Sequence, residues 1–448
     1  MDLSRPQEHI SAELRGLKDL VSPYGLVSRT ASLPVREGEP SFAVHLAYLG
    51  VPSRALANLH TWAHDEDLGN ADGAGTGLTP ERAELISIAE ALERYSTCAW
   101  DDDAMVVAAE NDLDEEFVSP SRWPRLSPTE LAREDCSLAE YDPSVPIRWV
   151  RAWSLTRRVP VLVPAISVYL HMPYESESER FTRGITTGAA VHSDVRTAVL
   201  GGLLEVVERD AIAMVWLQRL RLPELVVDPE RLDPVTREYY RVGTSTDLRV
   251  RLFDATTDFG VPVIYAVQLS DADPTLAQVV AATCDIDPDR ALGKVYRELS
   301  SLRVALRGYV SAYAGRELDP AKVSVVGGAV HNGARARRDV FDFLLEGERP
   351  SYGLEGMPGL PAGADPLDTA VSRLAARGAE VLVADITTDE ARQVGMRAVK
   401  VLVPEAMPVS FVHGERFLGT QRLYDAPRAM GHPSHPEDAI NPEHQPFA

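Results

Sequence analysis

The stretch 90-EALER-94 recurs, with changed apolar residues, as 205-EVVER-209. Both copies sit in segments that read as apolar helices. Leu85, Ile86, Ile88, Ala89, Ala91, Leu92 and Tyr95 surround the first copy. From Ala198 to Leu217 the only charges are Glu205, Glu208, Arg209 and Asp210. Helix positions i and i+3 share a face, so Glu90 projects with Glu93 and Glu205 with Glu208. A carboxylate buried without compensation costs several kcal/mol. One such motif alone reads as a solvated helix face with Glu–Arg pairs. Two copies, each behind a glycine-rich stretch (73-GAGTGL-78 and 181-FTRGITTGAA-190), point to helices that converge on a cleft holding cations. Hard oxygen ligands favour Mg²⁺, which is commonly shared between carboxylates and nucleotide phosphates. The glycines would let backbone approach an anion closely.

The rest of the chain supplies helices and sheets to carry these two motifs. YGLVSRTASLPV and FAVHLAYLGV read as strands. Thr79 and Pro80 start the first motif helix as N-cap and first-turn residue, and it runs to about Trp100. Strands are expected at 147–155, 160–170, 249–256, 262–269 and 278–285, with helices over about 194–220 and 288–310. The C-terminal part reads helix, strand, helix, strand over 367–405. The proline-containing tail cannot be helical. Loose alternation of the two element types gives an α/β or α+β class, with helices packed on mixed sheets.

Net charge is −22 over 448 residues, the wrong sign for a general nucleic-acid binder. No apolar run reaches the roughly 18 residues of a membrane span, and the N-terminus lacks a signal-like pattern. A soluble, cytoplasmic protein is expected. Cys98, Cys136 and Cys284 lie far apart, so neither a disulfide framework nor a cysteine zinc site is expected.

The two motifs, in order and spacing, resemble those of YcaO-domain proteins, especially the stand-alone cyclodehydratase subunits of thiazole/oxazole-modified peptide biosynthesis. The first block, 75-GTGLTPERAELISIAEALERYS-96, is similar to the family's glycine loop and SxxExxER motif through Ser87, Glu90, Glu93 and Arg94. The second, 186-TTGAAVHSDVRTAVLGGLLEVVERDA-211, is similar to its TTG loop and ExxERD helix through Glu205, Glu208, Arg209 and Asp210. The helix over 287–303 resembles one carrying RxxxE, here Lys294 and Glu298. DIT at 385–387 with VKVLVPE at 399–405 resembles a closing βαβ-like region.

The resemblance implies the YcaO fold around an ATP/Mg²⁺ cleft, in a domain over 65–448 that follows an N-terminal segment over 1–64. It implies that Glu90, Glu93, Glu205 and Glu208 bind Mg²⁺. Ser87, Arg94, Arg209, Lys294 and Glu298 would line the nucleotide. The implied activity is ATP-dependent activation of a peptide carbonyl in a ribosomal precursor peptide. A Cys, Ser or Thr side chain adds to the preceding amide, the oxyanion takes the γ-phosphoryl group, and loss of phosphate leaves a thiazoline or oxazoline. Alternatives are a thioamide- or amidine-forming enzyme using the same ATP step, or a non-catalytic subunit of a peptide-modifying complex. No leader-binding domain is evident in the first 60 residues, so a leader-peptide-binding partner of ThiF-like type is expected to deliver the substrate. A homodimer is compatible with the family.

The chain departs from the family's pattern at Thr76, where the first loop commonly has Lys, and at Thr197 and Gly201, where the second helix commonly has an acid and Gln or His. Lys294 stands where Arg is usual and loses the bidentate fork. The tail, NPEHQPFA, keeps Pro442 and Pro446 of a PxPxP-like run, with His444 in place of the middle proline. By resemblance, His444 or the Ala448 carboxylate serves as a base near the chemistry. His192 reads as a surface or capping residue, His60 and His64 as an ordinary loop or helix end, and Trp149 and Trp153 as strand packing.

Overall fold

The computed structural model describes residues 12–49, 72–313, 315–322 and 324–448. His60 and His64 lie outside the described residues. Three sheets and the helices laid on them make up the described structure. Strands β1 (Arg29–Leu33), β2 (Ala43–Tyr48) and β3 (Gly73–Gly77) form an antiparallel sheet in that order. Residues on either side of the expected 64/65 boundary therefore share one sheet.

A second sheet has the order β4-β5-β13-β14-β7, with β6 also paired to β5. Its strands are β4 (Val106–Ala108), β5 (Ile147–Ser154), β6 (Val159–Pro164), β7 (Ala189–His192), β13 (Leu382–Asp385) and β14 (Arg397–Leu402). The third has the order β11-β10-β9-β8-β12. It uses β8 (Glu224–Val226), β9 (Arg249–Asp254), β10 (Val263–Leu269), β11 (Gln278–Cys284) and β12 (Ser351–Gly353). Among the described strands only β8 and β12 pair in parallel. The closing region is accordingly not a parallel βαβ unit: β13 and β14 run antiparallel, with Leu382 opposite Leu402.

The sequence cues for the motif helices hold. Helix α1 (Pro80–Cys98) starts at Thr79, whose hydroxyl accepts from the Arg82 amide, with Pro80 in the first turn. Helix α2 (Val195–Gln218) starts at Asp194, which accepts from the Thr197 amide at 2.8 Å. Helix α2 is the spine of the largest core cluster, with Leu203, Val207, Met214 and Trp216 all enclosed. Helix α3 (Pro234–Gly243) and helix α4 (Pro288–Tyr313) pack on the third sheet through Val242, Val295 and Leu299. Trp149 is buried, its indole donating to the Ala108 carbonyl, as strand packing requires. Trp153 is not packing: it is 44% exposed.

Two glycine stretches set the helix positions. The first, expected as a loop, is strand β3. Gly73 and Gly75 face α1 so closely that a Cβ would sit 2.0 Å from the carbonyl oxygens of Ser87 and Ala83 respectively. These glycines thus admit a helix rather than an anion. Gly188, at φ +86, approaches the Val401 carbonyl in the same manner.

Candidate active site

Strand β7 lies between the motif helices, in contact with both α1 and α2. This brings the two doublets together although more than a hundred residues separate them. The first glutamate of each motif is held the same way. Glu90 accepts from the Ala74 amide of β3 at 2.9 Å and pairs with Arg94 at 2.7 Å. Glu205 accepts from the Gly188 amide at 3.0 Å and pairs with Arg209 at 3.3 Å. The repeat is therefore one device used twice: a strand-end amide and an i+4 arginine orient one carboxylate.

The second glutamate of each motif is less well compensated. Burial, then the charges of Glu205 and Glu90, push the Glu93 carboxyl well above the usual carboxylate range; Arg94 and Lys400 oppose this. Burial raises Glu208 to about 7, with Glu205 and Glu298 adding to the rise and Arg209 opposing it. Glu208 accepts one hydrogen bond, from the Cys284 amide at 3.1 Å. Mutual repulsion thus links Glu90, Glu93, Glu205, Glu208 and Glu298 in one row along α1, α2 and α4.

Among the described residues no three His, Cys, Asp or Glu side chains already stand as a metal cage. That suits Mg²⁺, which keeps several waters and is usually bound by one or two carboxylates together with phosphate oxygens. Glu93 and Glu208, each raised in pKa by burial and then by the charge of Glu205, fit a divalent cation, whose charge would offset that repulsion. Glu205 together with Glu93 or Glu208, the neighbours whose pKa values its charge raises, could supply one or two carboxylates to such an ion.

The other expected residues divide. Arg94, Arg209 and Glu298 belong to the row, Glu298 also pairing with Arg297 at 3.2 Å. Lys294 stands beside it: its ammonium binds Asp285 at 2.6 Å and the carbonyl of Cys284, the residue whose amide holds Glu208. Ser87 does not line the site. It is fully buried, and its hydroxyl donates to the Glu84 carbonyl within α1. Thr76, between the β3 glycines, is buried with no partner for its hydroxyl, and Gly201 lies exposed on α2. His192 is a local cap, its Nδ1 accepting from the Asp194 amide. Asp210, the last residue of ExxERD, is structural: it is fully buried in a bidentate pair with Arg422, both contacts 2.7 Å.

The tail is docked rather than loose. Asn441 caps the end of α2 through the Leu217 and Trp216 carbonyls, and Phe447 is 2% exposed against Tyr265. His444 does not join the carboxylates. Its carbonyl accepts from Asn332 and its ring lies 4.0 Å from that of His413. Burial, then His331, lowers its pKa, which makes it a weaker base than a free imidazole. Among the described residues the Ala448 carboxylate has no ion pair, and its side chain packs on the cluster around α4.

One residue of the site was not foreseen. Lys400 of β14 is 1% exposed; its ammonium donates to the Ile185 and Thr187 carbonyls. Burial lowers its pKa to about 8, against the pull of Glu205 and Glu93. The available signal was a single charge inside the apolar run AVKVLV.

A row of half-buried carboxylates flanked by arginines is the kind of donor set that a Mg²⁺-dependent phosphoryl-transfer site uses. Residues 74–407 match the family described as YcaO cyclodehydratase, ATP- and Mg²⁺-binding. The chain belongs to the YcaO family. It is 28% identical over 267 residues to an uncharacterized protein of Methanothermobacter thermautotrophicus, covering 58% of this chain and 63% of that one. The chain thus spans less than two thirds of this curated relative. A heterocyclase solved in complex with substrate and cofactor superposes at TM-score 0.78 and 22% identity, covering 99% of this chain and 58% of the other. YcaO from Methanopyrus kandleri, bound with AMPPCP and Mg²⁺, superposes at TM-score 0.58 and 21% identity, covering 85% and 86%. These likenesses carry the fold. No described helix is long and apolar enough to cross a membrane.

Proposed function

We propose that this chain is an ATP- and Mg²⁺-dependent cyclodehydratase that converts Cys, Ser or Thr of a ribosomal precursor peptide to thiazoline or oxazoline. The observation that carries this reading is the meeting of the two glutamate doublets with a surplus of buried negative charge. Bound Mg·ATP would supply the phosphoryl group: the amide oxygen, a poor leaving group, accepts it and becomes a good one, with ADP released and phosphate lost in the following step. Glu93, Glu205 and Glu208 would supply the one or two carboxylates that hold the cation. Glu90, fixed by the Ala74 amide and Arg94, would stand beside them. Arg94 and Arg209 neutralise phosphate charge, and Lys400 holds the 185–187 backbone against the same cluster. Catalysis then rests on positioning and electrostatics rather than on a covalent enzyme intermediate.

Substrate delivery by a leader-peptide-binding partner accompanies this reading. The test is incubation of the purified protein with such a partner, a precursor peptide and Mg·ATP. Loss of one water mass per modified residue, with matching phosphate release, supports azoline formation. A mass gain from sulfur insertion redirects the reading to a thioamide former. Absence of nucleotide binding by the wild-type protein sinks it in favour of a scaffold subunit.

A further inference from the structure

A cavity of about 180 Å³ lies where the end of α2 meets the third sheet. Met214 and Val215 of α2, then Leu220 and Leu222 just beyond it, form its apolar wall. All four are at most 3% exposed and belong to the largest core cluster, so this wall is fixed. Met430, which follows helix α5 (Arg422–Ala429), completes the wall at a half-buried position. The polar wall comes from Asp254 at the end of β9, Tyr352 of β12, and His432. An apolar cavity of ~150 Å³ admits benzene, so this one takes a body of about that size.

The sheet holds the carboxylate in place without neutralising it. Strand β8 lies between β9 and β12, and the Tyr352 hydroxyl reaches across it to donate to Asp254 at 2.7 Å. The Thr256 amide donates to the other carboxylate oxygen at 2.8 Å. Among the described residues no cationic side chain pairs with Asp254. Arg251, three residues earlier, is committed to Glu224 by contacts of 2.7 and 2.6 Å. A carboxylate has about four lone-pair sites, so two neutral donors leave acceptor capacity as well as charge unmet. No Lys or Arg lines the cavity. Burial lowers the His432 pKa from its ordinary 6.5, so this ring carries little charge at pH 8 and does not repel a cation.

We propose that this cavity binds a small organic cation, with an ammonium or amidinium head paired to Asp254 and an apolar body of about benzene size against Met214, Leu222 and Met430. A bound water could meet the free lone pairs of Asp254, but it gains nothing from the apolar wall. The site is separate from the carboxylate row and needs no part of the enzymatic reading. Six residues of α2 separate Met214 from Glu208, a rise of ~9 Å and a turn of about 240°. The two side chains therefore leave the helix on different faces.

The test uses the full chain with isotope-labelled methionine methyls and three probes of one size: benzylammonium, benzyl alcohol and benzoate. By titration calorimetry at pH 8, benzylammonium should bind about tenfold or more tightly than benzyl alcohol, with benzoate weaker still. In NMR spectra the Met214 and Met430 methyl signals should shift, while those of Met172 and Met396, which do not line the cavity, stay in place. Asp254→Asn should erase the preference for the cation and leave Mg·ADP affinity unchanged. Met430→Trp should weaken all probes by filling the rim. The wild-type comparison decides the matter should either variant misfold. No benzylammonium binding, equal affinity for benzylammonium and benzyl alcohol, or shifts confined to other methionines overturns the proposal. An Asp254→Asn protein that keeps the full preference assigns it to the chain's overall charge of −22 and overturns the proposal too.

Discussion

Glu208→Gln separates the site's cost to the fold from its use in chemistry. The Glu208 side chain is 16% exposed, and its pKa rises from 4.5 to about 7 on folding, chiefly through burial. The folded state therefore holds this proton more tightly than the unfolded chain. No penalty exists below the unfolded pKa; it grows as pH rises through 4.5 and levels off above about 7. The full shift corresponds to about 3 kcal/mol at pH 8, and to about 2 kcal/mol at pH 6. Glutamine keeps an oxygen for the Cys284 amide and carries no charge, so the variant should be the more stable protein by these amounts. For a chain of 448 residues, at ~2.1 cal/mol/K per residue, 3 kcal/mol is ~3 °C in Tm. Thermal unfolding in EDTA at both pH values provides the assay. Adding Mg·ADP should raise the wild-type Tm and leave the variant nearly unmoved, because the ion is what repays the repulsion. A variant no more stable than wild type at pH 8, or one that gains more at pH 6 than at pH 8, refutes the claim that Glu208 is held in an unfavourable anionic state.

Three further outcomes follow from the same geometry. Glu93→Gln or Glu205→Gln should weaken Mg·ADP binding by calorimetry beyond the roughly 10–100-fold that loss of an outer-shell partner costs, with the far-UV spectrum unchanged. Asp210→Ala should strand the Arg422 guanidinium, which is left with Asp258 at 2.8 Å, and destabilise the protein by about 3–5 kcal/mol in chemical unfolding; a soluble, stable variant that has lost only nucleotide binding would return Asp210 to the site. Gly75→Ala should drive a methyl to 2.0 Å from the Ala83 carbonyl and displace α1 from β3, read as loss of both Tm and Mg·ADP binding, whereas Gly260→Ala, with nothing within 4 Å of an added Cβ, tests the cost of positive φ alone.

The sequence determined the motif helices, because what shapes them is local: Thr79 and Asp194 cap their starts, and the three-residue spacing puts each glutamate doublet on one face. It also pointed to a need for cations at those doublets, since the adjacent Arg94 and Arg209 offset only part of the cost of burying Glu93 and Glu208. The tertiary structure alone decided the rest. Which carboxylate of each pair is satisfied depends on strand-end amides at Ala74 and Gly188, and sheet order brings those to the helices. Ser87 and Asp210 look like site residues in a motif, yet helix rotation turns Ser87 toward β3 and Asp210 toward Arg422. Lys400 enters the cluster only because β14 pairs with β7 beside the loop whose carbonyls bind it. A side chain's role at such a site is set by what lies across the gap from it, and pairing between distant segments leaves no periodicity in either one.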